Sequence, residues 1–424
     1  MASAGPGSPA AGRLRRTPLA IMIILAACCL IALIALIAVV GGGPVPTLIG
    51  LVLAVLPVPL LLAAVLWLDR LEPEPPSLLT LMFAAGAGAA ALIALAGYLL
   101  GTRLVAPPEL GPEAGRLVST PLAAAIGGAV VAESLKGGAL LGLLRFRRAE
   151  IDGIQDGVVY ATLTGLGFAL ISNLYAYLHA EHIGLSALAS AFIWRGIVGP
   201  LWDPVFTSVI GVGVGYAAIH RGRRRALWAI GAGWVGAVAL HTLWNNSVKA
   251  APGRIVTVYL LLIVVLGLLL GAMVADRHRI VRMIAGCFPV FAEADVATAS
   301  DVEMLVSLPA RRQARQWARL HAGGPAGRSM TGYQLTATEL ALATDRCDRD
   351  LMPGDEFADF RGDSLARMRA AVSVFRDRRP PLRQRPPWAQ RTLSAFVAGE
   401  SSPAGTHAAS EHPADPPPAP EPPA

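Results

Sequence analysis

Long apolar runs separated by short arginine-bearing stretches organise the first two thirds of the chain. They cover residues 18–41, 46–68, 77–101, 121–144, 154–178, 186–219, 226–248 and 255–275. A helix crosses a bilayer in about 20 residues, so the pattern predicts an all-α polytopic membrane protein with about eight transmembrane helices. The sixth run is too long for one straight span and holds Arg195, Pro200 and Pro204. It reads as a broken helix, or a short re-entrant piece followed by a span. The first run follows GRLRRTP, but its length and the lack of a cleavage site predict an uncleaved span.

Loop charge sets an expected orientation. With the N-terminus inside, the inner segments hold Arg13, Arg15, Arg16, Arg70, Arg145, Arg147, Arg148, Arg221, Arg223, Arg224, Arg225, Arg277, Arg279 and Arg282. The outer loops hold only Arg103, Arg116, Lys249 and Arg254. That asymmetry predicts a cell-membrane protein with both termini cytoplasmic. After about residue 283 the pattern turns amphipathic, which predicts two or three helices of a cytoplasmic helical tail. The expected organisation is a cytoplasmic segment 1–17, a transmembrane domain 18–275, a helical domain 276–378 and a proline-rich disordered end 379–424.

Composition narrows this further. The 424 residues are 54% hydrophobic and 15% charged, which excludes an ordinary soluble domain with its roughly 25% charge. The net charge of +7 is what arginine-bearing loops produce and predicts no nucleic-acid partner. Cys28, Cys29, Cys287 and Cys347 have no zinc-site or disulfide spacing.

The candidate chemistry lies in the ionisable residues inside the spans: Glu133, Lys136, Asp156, Arg195, Asp203 and His241. Each is costly in lipid and is a functional candidate for that reason. Glu133 and Lys136 are three apart and share a helix face, as do His241 and Asn245, four apart, with Trp244 beside them. Asp156 near an inner helix end reads as a cap or a snorkelling group. Counting from the inner ends brings Glu133, Ser172, Asp203 and His241 to similar depth, where a bundle builds interior sites. A polar network that only fixes helix packing fits the same spacing.

These segments together resemble the PrsW family of intramembrane proteases. WLDRLEPEPP (67–76) is similar to the family's Asp-Arg-x-Glu-Pro-x-Pro loop, and AESLKGGALL falls where the family has Glu-Glu-x-x-Lys-Gly. IDGIQDGVVYATLTGLGFALISNLYAY (151–177), WRGIVGPLWDPVFTSVIGVGVGYA (194–217) and LHTLWN (240–245) follow in family order. The resemblance implies cleavage of a membrane-embedded partner, such as a single-span anti-sigma factor, with help from a divalent metal such as zinc. It places Glu133 and Lys136 as catalytic residues and Asp203 and His241 as metal ligands. It assigns Asp156, Tyr160, Phe168, Ser172, Asn173, Arg195, Trp244 and Asn245 to the substrate cavity or scaffold.

The chain departs from the family at reactive positions. Ala132 replaces the first Glu of the pair, Ser172 the Glu before Asn173, and Asp203 the His before Pro204. Two readings follow: a protease with an altered ligand set, or a non-cleaving relative that binds a single-span protein. A transporter is disfavoured by the lack of repeats.

Overall fold

The computed structural model describes residues 43–69, 73–90, 121–220, 222–247 and 252–374, with Ala27, Leu30, Ile31 and Ile34 before them. The bulk of the predicted first span, the end of the third span, Cys28, Cys29, the outer-loop Arg103 and Arg116, and the proline-rich end lie outside those residues. Among the described residues the regular elements are all helical. They are α1 (Pro44–Val55), α2 (Val58–Leu68), α3 (Pro76–Ala84, ending in a π turn Ala85–Ala90), α4 (Pro121–Phe146), α5 (Ile154–Ile183), α6 (Leu185–Phe192, ending in a π turn Ile193–Val198), α7 (Trp202–Ala218), α8 (Arg223–Ser247) and α9 (Pro252–Gly286). Beyond these come α10 (Phe288–Glu293), α11 (Ala299–Leu305), α12 (Leu308–Asp348) and α13 (Gly354–Ser373). Among the described residues, six stretches are long and apolar enough to cross a membrane, and they fall on the predicted second run and the fourth to eighth. The chain is a multi-pass membrane protein.

The sixth run is broken as expected, although the proline acts differently from the simplest reading. Helix α7 begins only at Trp202, so Pro204 sits in its first turn. The missing N–H there is one that no helix start could bond anyway, so the proline starts a helix and bends none.

Helix α5 is the axis of the bundle, buried over most of its length and packed chiefly against α7. Glycines permit the approach. A Cβ on Gly157 would lie 2.2 Å from the Gly211 carbonyl oxygen, and one on Gly215 would lie 2.5 Å from that of Gly153. A second seam joins α7 to α8, where a Cβ on Gly213 would lie 2.4 Å from the Ala229 carbonyl oxygen. These close seams draw the residues of α7 and α8 toward α4. Gly157→Ala is therefore expected to destabilise the bundle by about 1–3 kcal/mol through overpacking. Gly231→Ala, with open space around it, serves as the control. Thermal unfolding of both variants in detergent reads the difference.

Beyond the bundle, α9 runs without interruption into a second core. There Ile280, Ile284, Phe291 and Val296 pack against Tyr333, Leu340 and Met368. Helix α12 is two antiparallel legs turned at Gly323, whose φ of 79° favours glycine. Buried Arg311 ties the legs together, donating to the Leu305 carbonyl at 2.7 Å and to Thr338 Oγ1 at 2.7 Å.

This unit is latched to the bundle by charge. Arg346 pairs with Asp152 at 2.5 Å, and Arg279 with Asp345 at 2.8 Å. Burial raises the Asp152 carboxyl to about 6 against the pull of Arg346 and Arg279, while Glu150 and Asp345 push it the same way as burial. The folded chain then binds this proton more tightly than the unfolded one. Asp152 thus favours folding most below its ordinary value of 3.8, and that contribution is lost as pH climbs through about 6. Melting the full chain at about pH 4 and about pH 7 is expected to show this trend, flattened in Asp152→Asn.

Candidate active site

Glu133 lies at the centre of α4 and is fully buried. Its Oε1 is 2.6 Å from the Lys136 ammonium and 2.7 Å from His241 Nδ1 on α8. Lys136 is fully buried too and bridges onward to Asp203 Oδ1 at 3.1 Å. Its ammonium also sits 4.6 Å from the centre of the Phe168 ring, so an aromatic face covers the charge. Asp203 occupies the first turn of α7, where the positive end of the helix favours a carboxylate. The Phe206 ring stacks on His241 at 5.1 Å and fixes the imidazole plane.

The Thr207 hydroxyl completes the grip. It stands 3.2 Å from Glu133 Oε2 and 3.0 Å from the Asp203 carbonyl, and it donates to one at a time. Thr207 was legible only as part of a motif, yet the signal was available: it follows Asp203 by four residues and so shares its helix face.

Of the residues expected at this depth, Glu133, Lys136, Asp203 and His241 converge. Ser172 does not join them, because its hydroxyl turns back to the Ala169 carbonyl at 3.3 Å. Asp203 takes Lys136 as its partner, and Arg195 donates instead to Asn173 Oδ1 at 3.2 Å. Trp244 packs on Trp202 and Tyr259, with ring centres 5.9 and 5.6 Å away. Asn245 is half-buried on the following position.

Asp156 and Tyr160 belong to a separate polar cluster nearer the arginine-bearing end. Asp156 accepts the Asp152 N–H at 2.6 Å, and the Tyr160 hydroxyl donates to Glu74 Oε2 at 2.5 Å. Asp69 accepts the Glu74 N–H at 2.9 Å, and Asp276 accepts that of Gln155 at 2.9 Å. This cluster ties the loop before α3 to the start of α5 and to α9. Asp156 is nine residues before Gly165, which abuts Asp203. That places it about 13 Å from the Glu133 group along the helix.

The donor set suits a metal. One atom each from Glu133, Asp203 and His241 lies within 4.8 Å of the other two. Two carboxylate oxygens and an imidazole nitrogen match zinc or a harder divalent ion with a position left for water. Lys136 contacts Glu133 Oε1 and Asp203 Oδ1, on the same two carboxylates that could hold a metal. A metal held by these carboxylates would meet the Lys136 ammonium beside it.

Comparison with known families matches residues 74–270 to the model of the PrsW family intramembrane metalloprotease. No curated protein and no solved structure matches the chain. The resemblance read from the sequence thus holds over the segment that contains the buried cluster. This multi-pass membrane protein carries a PrsW-family intramembrane metalloprotease domain over residues 74–270, with a Glu133, Asp203 and His241 group that can hold a metal.

Proposed function

We propose that the chain hydrolyses a peptide bond in a membrane-embedded protein, a single-span anti-sigma factor being the kind of substrate the family suggests. The observation that carries this is the meeting of Glu133, Asp203 and His241 within 4.8 Å inside the spans. Asp203 and His241 would hold the metal, which when bound would polarise a carbonyl and lower the pKa of water. Glu133 takes the proton from the attacking water and returns it to the departing amine. Lys136 neutralises one carboxylate, and Thr207 fixes the Glu133 oxygen that faces away from His241. With both termini cytoplasmic, the helical unit after α9 would lie in the cytoplasm beside the latch at Asp152.

Two observations favour a second reading, a non-cleaving binder of a single-span protein. Lys136 already satisfies both carboxylates, and Ser172 is turned away where the family carries a Glu. Cleavage of a single-span reporter by the full chain in liposomes separates the two. The protease reading expects cleavage that stops on chelation and returns with zinc. Reporter binding with no cleavage under any metal would establish the second.

A further inference from the structure

Arg195 lies inside a membrane-spanning segment, where Asp203 is near enough to interact with its charge but, among the described residues, no carboxylate comes within ion-pair distance. A guanidinium without a direct ion pair at such a position is costly and is retained for a partner or a function. It stands on the π turn Ile193–Val198, a distortion that recurs at functional sites. Its Nη1 donates to Asn173 Oδ1 at 3.2 Å, while the residue itself remains exposed.

Directly beneath the turn is a second unsatisfied group. The Tyr177 hydroxyl is buried without a hydrogen-bond partner, one helical turn beyond Asn173 on α5. A Cβ on Gly196 would stand 3.1 Å from that hydroxyl, so the glycine lets the turn press close. An orphan hydroxyl in an interior calls for an explanation. All three residues have donors to spare: the remaining Arg195 N–H groups, the Tyr177 O–H and the Asn173 NH2, since its oxygen is already taken. Hydrogen-bond donors grouped beside a full positive charge select an anion, and a carboxylate matches the guanidinium fork.

We propose that Arg195, Asn173 and Tyr177 form a substrate subsite for a carboxylate, supplied by an acidic side chain or by a free C-terminus of the membrane-embedded substrate. This rests on the proteolytic reading above. The subsite's place follows from the helix. Asn173 is eight residues beyond Gly165, whose Cβ position meets the Asp203 carbonyl at 2.8 Å. Eight residues of helix span about 12 Å. An extended substrate strand covers that distance in about four residues, so the carboxylate sits about four residues from the bond held at Glu133.

The test uses the purified full chain in bicelles and fluorophore–quencher peptides of about 25 residues that span the bilayer. Each carries a single Glu, Gln or Lys walked through both halves. A parallel set ends at the same positions as free acid or amide. Wild type is expected to favour Glu over Gln by about tenfold in kcat/KM at one position, with Lys worst. Arg195→Glu reverses that order. Tyr177→Phe keeps the ring against Phe192 and lowers the Glu-over-Gln preference about threefold. It carries the test if the charge reversal fails to fold. A preference for acid over amide confined to the truncated set assigns the carboxylate to a C-terminus.

Equal handling of Glu, Gln and Lys by wild type, or the same order in wild type and Arg195→Glu, overturns the subsite. Binding to Glu133→Gln, followed by fluorescence anisotropy, keeps the two readings apart. Arg195-dependent binding without cleavage by wild type upholds the subsite and removes the protease. Cleavage without charge preference does the opposite.

Discussion

Glu133→Gln is expected to lower cleavage of a single-span reporter by about 10²–10⁴-fold, the usual worth of a positioned general base. The amide retains the shape and can still bond Thr207 and His241, so the bundle keeps its form. What is lost is the capacity to accept a proton from water at the oxygen 2.7 Å from His241 Nδ1. Ala132 leaves no adjacent carboxylate on α4 to take over. A residual rate close to wild type would move the chemistry away from this helix. Cleavage measured beside thermal unfolding of the same preparation distinguishes a lost base from a lost fold.

Lys136→Met is expected to be the most damaging single change to stability, costing about 3–5 kcal/mol as an uncompensated buried charge does. Lys136 and Glu133 are both fully buried, and the ammonium is the bridge between Glu133 and Asp203. Removing it leaves two carboxylates facing one another in apolar surroundings. Two further measurements give the prediction a sign. Adding Glu133→Gln and Asp203→Asn to Lys136→Met recovers most of the loss, because a neutral cluster has no charge to strand. Added zinc also recovers part of it in the single variant, by binding the folded state at the oxygens that Lys136 has vacated. Failure of zinc to raise the melting temperature would favour Lys136 as the permanent counter-ion and the non-cleaving reading.

The hydrophobic runs revealed most of the membrane architecture because a bilayer imposes length and apolarity on every span. The broken sixth run was readable too, from Arg195 and the prolines, although Pro204 proved to begin a helix. The pairing inside the site was only partly readable. Spacing put Lys136 beside Glu133, since i, i+3 residues meet on any helix. Spacing could not choose between Lys136 and Arg195 as the partner of Asp203, because that choice depends on how α7 rotates against α4. The rotation is set by glycine seams such as Gly157–Gly211, whose geometry a linear pattern does not encode. Ser172 was placed at the right depth by counting but on a different outcome by its rotamer, which bonds its own helix. Tyr177 gave no signal at all: an aromatic residue in a span is ordinary until its hydroxyl is found without a partner.

The central claim is that Glu133, Asp203 and His241 act as one metal-dependent site within the membrane. The most direct measurement is the divalent metal bound per purified full chain after dialysis against zinc, for wild type and for the Asp203→Asn, His241→Ala double variant. The account predicts about one tightly held ion in wild type and its loss in the double variant, as expected when protein ligands are removed from a site of this donor set. No bound metal in a wild type that still cleaves, or equal metal in both proteins, would contradict it.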